Sequence, residues 1–257
     1  MILVIDVGNT NIVLGVYDGD ELTANWRMTT EKGRTADEVG IFILNLFRYE
    51  GIPVENLESV IISSVVPDVM YSLTHGMRKY FGIDPMIVSI GMKTGINIRM
   101  QNPKEMGSDR IVNIVAAYEI YGGPAIVIDY GTANTFDVIN EKGEFITGIT
   151  APGIKICADA LYQRAAQLPK FEIKNPGTVI AKNTIDSMQV GIALGHVGET
   201  LYFIERIKKE LNCPDIKVIA TGGLARVIDE DGTIFDVLDP LLTLKGLKIL
   251  YEKNKKR

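Results

Sequence analysis

Two stretches of this 257-residue chain set a carboxylate beside a glycine in the same small polar phrase: Asp6-Val7-Gly8-Asn9-Thr10-Asn11 and Asp129-Tyr130-Gly131-Thr132-Ala133-Asn134. Each follows an apolar run, Leu3-Val4-Ile5 in the first and Ile126-Val127-Ile128 in the second, and nearly half the chain separates them. Glycine lets backbone approach a ligand closely, and neighbouring amides with Asn and Thr side chains can donate to phosphate oxygens. A carboxylate at the mouth of a buried strand, such as Asp6, suits Mg2+ held partly through water. One copy alone would read as a turn, because Asp, Gly and Asn are the usual turn formers. Two symmetric copies point to a duplicated domain whose acidic loops face one another across a cleft, hold a nucleotide's phosphates and a cation, and transfer phosphate.

Within the second copy, Thr132 can hydrogen-bond a terminal phosphate and Asp129 can hold a cation. Thr221-Gly222-Gly223 follows a strand and opens a helix, where backbone can lie flat against a base or ribose; a plain helix-start loop fits equally. Phosphate transfer also needs a group that activates the acceptor. Gly107-Ser108-Asp109-Arg110 opens a predicted helix at the junction of the copies. An acidic residue in a first turn often serves only the helix dipole and its free amides. Arg110 is a planar fork suited to a ligand carboxylate or phosphate, or to a surface salt bridge. Spacing alone does not choose between these readings. The chain has no Walker-type Gly-Lys-Ser/Thr run and no Gly-x-Gly-x-x-Gly, which disfavours P-loop and Rossmann nucleotide binding.

The elements that must position these loops recur in order. Strands are predicted at 2–7, 12–18 and 21–29, then a helix capped near Thr35 with Val39, Phe42, Ile43, Leu46 and Phe47 on one face. A strand at 59–63, a helix from Pro67 and a short strand near 86–89 follow. The second copy repeats strands at 125–130, 134–140 and 144–150, then a helix over 154–167. A loop to Asn183, a long helix over 184–211, a strand at 217–220 and a last helix from Pro240 capped by Asp239 complete it. On the long helix Gly191, Gly195 and Gly198 form a small-residue face, for packing either within the chain or against a second copy.

Bulk properties narrow the classes. The net charge is −5, and the one basic cluster is the tail Lys253, Lys255, Lys256, Arg257, which reads as a solvated end and not a nucleic-acid arm. Two cysteines and two histidines offer neither a disulfide framework nor zinc spacing. No secretory leader or membrane-spanning run is apparent, so a cytoplasmic protein is expected, with neither nucleic acid nor membrane as partner.

Taken in order and spacing, these motifs resemble the type III pantothenate kinases, members of the sugar kinase/heat-shock chaperone/actin superfamily. The resemblance runs from Asp6 to Leu224 and includes Ser63-Ser64-Val65-Val66-Pro67, Ala151-Pro152-Gly153 and Lys182-Asn183-Thr184 beside the phrases above. It implies an α/β fold of duplicated ribonuclease H-like (actin-like ATPase) domains, 1–112 and 113–257, with mixed sheets flanked by helices and an interdomain nucleotide cleft. It implies ATP-dependent phosphorylation of pantothenate to 4′-phosphopantothenate, the first step of coenzyme A biosynthesis. A requirement for K+ or NH4+ and a homodimer with a shared substrate pocket are implied as well. Carried over by position, the resemblance assigns Asp6, Val7, Gly8, Asn9, Thr10, Asn11, Ile12 and Val13 to ATP phosphates and Thr132 to ATP. It assigns Asp129 to the monovalent cation, Gly107, Ser108, Asp109 and Arg110 to pantothenate with Asp109 as general base, and Thr184 to substrate. Met100 stands where a substrate-lining tyrosine is common, and Thr147 and Thr150 replace a usual Gly and Ile.

Three rivals remain on sequence. A nucleotide-binding accessory factor of the same fold needs no turnover, but Asp109, Arg110, both acidic loops and Thr184 are all retained. A kinase for a sugar or acetate-like substrate is the second. An actin-like polymer subunit is the third, and the chain is too short for the inserted subdomains it needs.

Overall fold

A computed structural model describes residues 1–255; Lys256 and Arg257 of the basic tail lie outside the described residues. The chain forms two compact units. One comprises Met1–Gly95, Gln101–Ala116 and the chain from Leu241 onward; the other comprises Ile96–Met100 and Ala117–Pro240.

The first unit is built on β1 (Ile2–Val7), β2 (Asn11–Asp18), β3 (Glu21–Thr29), β4 (Ser59–Ser64) and β5 (Met86–Ile87), in the order β3-β2-β1-β4-β5. β1 is antiparallel to β2 and parallel to β4. Its residues Leu3, Ile5 and Val7 pack with the buried faces of α1 (Ala36–Tyr49) and α2 (Pro67–Phe81). Thr35 and Glu38 close the predicted N-terminus of α1 as a reciprocal capping box. Phe42 departs from the expected core face and is exposed, whereas Gly40 is buried. The reason is a close helix contact: a Cβ on Gly40 would sit 2.2 Å from the Tyr80 ring of α2.

The opposite face of this sheet is covered from afar in sequence. After α3 (Ser108–Tyr121), the chain returns at its end as the last helix, Leu242–Asn254. Leu244 and Val4 both border Gly15, Tyr251 Oη lies 2.7 Å from Ser59 Oγ, and Gly246 lies against the Val112 backbone of α3. The first compact unit thus draws on three stretches of chain, and its division from the second falls within α3.

The second unit carries β6 (Asn97–Ile98), β7 (Ala125–Tyr130), β8 (Ala133–Ile139), β9 (Glu144–Pro152), β10 (Lys217–Thr221) and β11 (Val237–Leu238). Their order is β11-β10-β7-β8-β9-β6. From β9 to β11 this repeats the first sheet strand for strand, with the same antiparallel and parallel pairings. Two chance hairpins would not reproduce a five-strand order, so the duplication is real. The helices are α4 (Ile154–Arg164), α5 (Thr184–Gln189), α6 (Gly195–Glu210) and α7 (Ala225–Ile228), which makes the C-terminal helix α8. The predicted long helix is interrupted between α5 and α6 by a π-helical turn, Val190–Leu194. Asp239 does not cap α8: its Oδ2 accepts from Tyr121 Oη at 2.8 Å, and α8 begins at Leu242 without a side-chain cap. Among the described residues no helix is long and apolar enough to cross a membrane.

A Cβ on Gly246 would fall 2.3 Å from the Val112 carbonyl oxygen. Gly246→Ala is therefore expected to lower unfolding stability by about 1–3 kcal/mol through overpacking. A urea titration should show a lower midpoint with an unchanged slope.

Candidate active site

In the first unit the site grows from the C-terminal ends of two parallel strands. Asp6 is the register partner of Ser63, so both side chains stand on one face of the sheet. Ser63 is fully buried, and its hydroxyl lies 3.0 Å from Ser108 Oγ in the first turn of α3. Ser108 Oγ also accepts from the Ser64 amide at 3.1 Å and donates to the Ser64 carbonyl at 3.0 Å. These three contacts dock the helix start that carries Asp109 onto the strand ends beside Asp6. The signal in the sequence is a polar Ser-Ser pair closing an apolar strand.

Asp109 is half-buried. Its Oδ1 accepts from the Arg110 amide at 2.8 Å and occupies the place a Cβ on Gly107 would take, 2.5 Å away. Burial pushes its carboxyl above the ordinary 3.8, against the opposing pull of the Arg110 amide and guanidinium. A carboxylate serving only as a helix cap is held down by the amides it accepts from. Here desolvation wins, so capping alone does not account for Asp109.

Along the segment 6–13, the Val7 and Ile12 side chains are buried in the core, so their part in any ligand contact falls to backbone. Asn9 and Thr10 are exposed, while Gly8, Asn11 and Val13 are half-buried. The turn closes through the Gly8 amide to the Asn11 carbonyl at 3.0 Å. A residue that sequence reasoning missed holds its far side: Thr30 donates its amide to the Thr10 carbonyl at 3.0 Å and its hydroxyl to the Gly8 carbonyl at 2.7 Å.

The second unit repeats this geometry around Asp129, whose register partner is the buried Thr221. Gly222 has φ of +96°, and a Cβ there would lie 2.7 Å from Asp129 Oδ1 and 2.6 Å from the Tyr130 backbone. The carboxylate is thus bordered by two glycines, Gly222 and, at 3.7 Å, Gly131. Thr132 is exposed at the tip of the loop. Asn134 is fully buried next to its cross-strand partner Tyr130, so its side chain is no part of the exposed loop. Tyr130 anchors the strand end from below, its hydroxyl 2.8 Å from Thr200 Oγ1 and its pKa raised by burial. Among the described residues no group of three His, Cys, Asp or Glu side chains could hold a metal ion. A cation at either acidic loop would rest on one carboxylate with water, backbone and phosphate oxygens, a set that Mg2+ accepts.

Thr184 belongs to a separate surface of this unit. It opens α5, where Asn183 caps the Asp186 amide at 2.9 Å, and lines an open hollow of about 570 Å³ with Leu161, Lys182, Ser187 and Met188. Gly191, Gly195 and Gly198 are all exposed, and a Cβ on any of them would meet nothing within 4 Å. Packing against another helix of the same chain is therefore not what these glycines serve.

Comparison with known proteins decides the lineage. The family model of type III pantothenate kinase matches residues 2–206. A type III pantothenate kinase from Agathobacter rectalis is 50% identical over 257 residues, covering 100% of this chain and 99% of the relative. The chain belongs to the type III pantothenate kinase family. Solved structures with its fold include a Campylobacter jejuni protein assigned to the Baf family of transcriptional activators (TM-score 0.58, 18% identity, 97% of each chain covered). Another is a Sinorhizobium meliloti protein assigned as a 2-dehydro-3-deoxygalactonokinase (TM-score 0.57, 11% identity, 98% of each). At such identities they show the fold alone.

The electrostatics of Asp109 give a pH test. Because its folded-state pKa is raised, the folded chain holds the proton more tightly than the unfolded one, and stability falls as pH rises through the folded value. Asp109→Asn removes that loss. Its melting temperature is expected to exceed wild type at pH 7–8, with the gap closing as pH drops below about 4, near the unfolded carboxyl pKa. Calorimetry across pH 3–8 measures it; a constant gap rejects desolvation as the cause.

Proposed function

We propose that the chain transfers the γ-phosphoryl group of ATP to the primary hydroxyl of pantothenate, giving 4′-phosphopantothenate and ADP at the first step of coenzyme A biosynthesis. The observation that carries this reading is the docking of Ser108 on Ser63 and Ser64, which fixes Asp109 beside the strand end bearing Asp6. Phosphoryl transfer asks for an aligned acceptor and for charge stabilisation, and little covalent work by the protein. Asp109 serves as general base, taking the hydroxyl proton as the bond to phosphorus forms. A carboxyl whose pKa burial raises towards neutrality is better matched to that task than an exposed one. Gly107, Ser108 and Arg110 hold pantothenate, Arg110 through a charge-assisted hydrogen bond.

Residues 6–13 and Thr132 hold ATP. Mg2+ near Asp6, held largely through water, and K+ or NH4+ at Asp129 would offset the charge of the phosphates when bound. Gly222, whose missing side chain leaves room beside the Asp129 carboxylate, supports a cation there. The reading places the reaction in the cytoplasm. It also includes a homodimer, in which Thr184 reaches the neighbouring subunit's substrate pocket. In support, the unoccupied face of Gly191, Gly195 and Gly198 adjoins the exposed apolar side chains Ile185, Leu201 and Tyr202.

A coupled ATP-consumption assay across pantothenate, pantetheine and simple sugars, in sodium and in potassium, tests the reading. Turnover is expected with pantothenate and potassium; an accessory factor would show none, and another kinase would prefer a sugar. Asp109→Asn should lower kcat by about 10²-fold or more with ATP affinity near normal. Wild-type turnover in that variant would reduce Asp109 to a structural residue. Sedimentation at working concentrations should give a dimer, and a monomer would remove the shared pocket.

A further inference from the structure

The segment leaving β9 meets the Asp129 loop at Gly153. Gly153 is buried, and its φ of −68° and ψ of 151° are backbone values any residue adopts, so conformation does not demand glycine there. Space does. A Cβ at this position would lie 2.2 Å from the Thr132 carbonyl oxygen and 2.6 Å from that of Gly131. Both are main-chain atoms, which cannot swing aside as a flexible side chain can. The first unit holds the equivalent contact, because Thr30 follows β3 as Gly153 follows β9. There Thr30 bonds the Gly8 and Thr10 carbonyls. In both copies, then, the residue after the third strand bears on the carbonyl side of the acidic loop. The first copy does so with a side chain and the second with bare backbone.

We infer that Gly153 is a positioning residue for nucleotide binding: its missing side chain lets the exit of β9 press against the Gly131–Thr132 peptide and set the place from which Thr132 serves ATP. The inference deepens the assignment of Thr132 to ATP and rests on it. An alanine would have to push the Thr132 carbonyl back by about 1 Å to reach ordinary contact distance, a displacement that costs on the order of 10²-fold when it misaligns reacting groups. Gly153 also stands at the N-cap of α4. Serine is a better cap than alanine but carries the same Cβ, so the pair of substitutions separates the two roles.

The test measures binding of a non-hydrolysable ATP analogue by calorimetry, with KM and kcat for both substrates, in Gly153→Ala, Gly153→Ser and Thr132→Ala. Both Gly153 variants are expected to weaken nucleotide affinity and raise the ATP KM about tenfold or more, in keeping with that misalignment, while the pantothenate KM stays near wild type. Recovery of affinity in Gly153→Ser would make the residue a helix cap and overturn the inference. Lost affinity in Thr132→Ala with wild-type affinity in both Gly153 variants would overturn it while leaving the ATP assignment standing. Wild-type affinity in all three would remove the assignment itself. Should the variants not fold, hydrogen exchange on the wild type decides: ATP should slow residues 131–133 and 153–157 together, and indifference of 153–157 overturns the coupling.

Discussion

Everything chemical in this chain hangs on two central strands that cannot slide. β1 and β7 are buried along nearly their whole length, apolar on both faces, and each carries an aspartate one residue before its end. A shift of one residue would carry Leu3, Ile5 and Val7, or Ile126, Ile128 and Tyr130, to the wrong face of the sheet. Each buried side chain of that size is worth roughly 1.5–3 kcal/mol, so register is fixed many times over. The carboxylates of Asp6 and Asp129 inherit that precision without stabilising contacts of their own being required. The parallel neighbours β4 and β10 then set Ser63 and Thr221 beside them by the same register.

Periodicity exposed the strands and the larger helices because one buried face imposes one pattern, and the twin Asp-x-Gly loops exposed the duplication. The elements that stayed hidden are those whose formation depends on partners distant in sequence. β6 and β11 are two-residue strands made by pairing alone, too short to show a pattern. Asp239 looked like a cap, but a tyrosine 118 residues earlier claims it. The return of α8 to the first unit rests on Gly15 and Gly246, and a glycine's reason for being small is invisible until its neighbour is known. The π-helical turn left no sign because its residues, Val190–Leu194, keep ordinary helical composition.

In the candidate site, the loop residues stand out by type because the same phrase of Asp, Gly, Thr and Asn recurs in both copies. Whether Asp109 was cap or base could not be read from spacing, because both roles favour an acid in a first turn. Its environment bears on the choice: a cap gains from the amides it faces, whereas burial raises the Asp109 carboxyl against that pull. Thr30 gave no sign at all, since a threonine after a strand is unremarkable until the Gly8 carbonyl is found 2.7 Å from its hydroxyl.

The two copies have also diverged in a consistent direction. At the end of the fourth strand, the first copy has Ser63 and Ser64, which bind the helix bearing Asp109, and the second has Thr221 and Gly222, the latter lying bare on the Asp129 carboxylate. After the third strand, the first copy has the hydrogen-bonding Thr30 and the second has Gly153. Side chains stand where the helix bearing Asp109 is held, and glycines stand around the loop of Asp129 and Thr132. A surface stripped to backbone admits a large ligand at close range, at the entropic cost that ordering glycine carries. A duplicated fold with two identical halves would have had no reason to distribute its glycines this way. The asymmetry lies in side chains that bond on one copy and backbone that packs on the other.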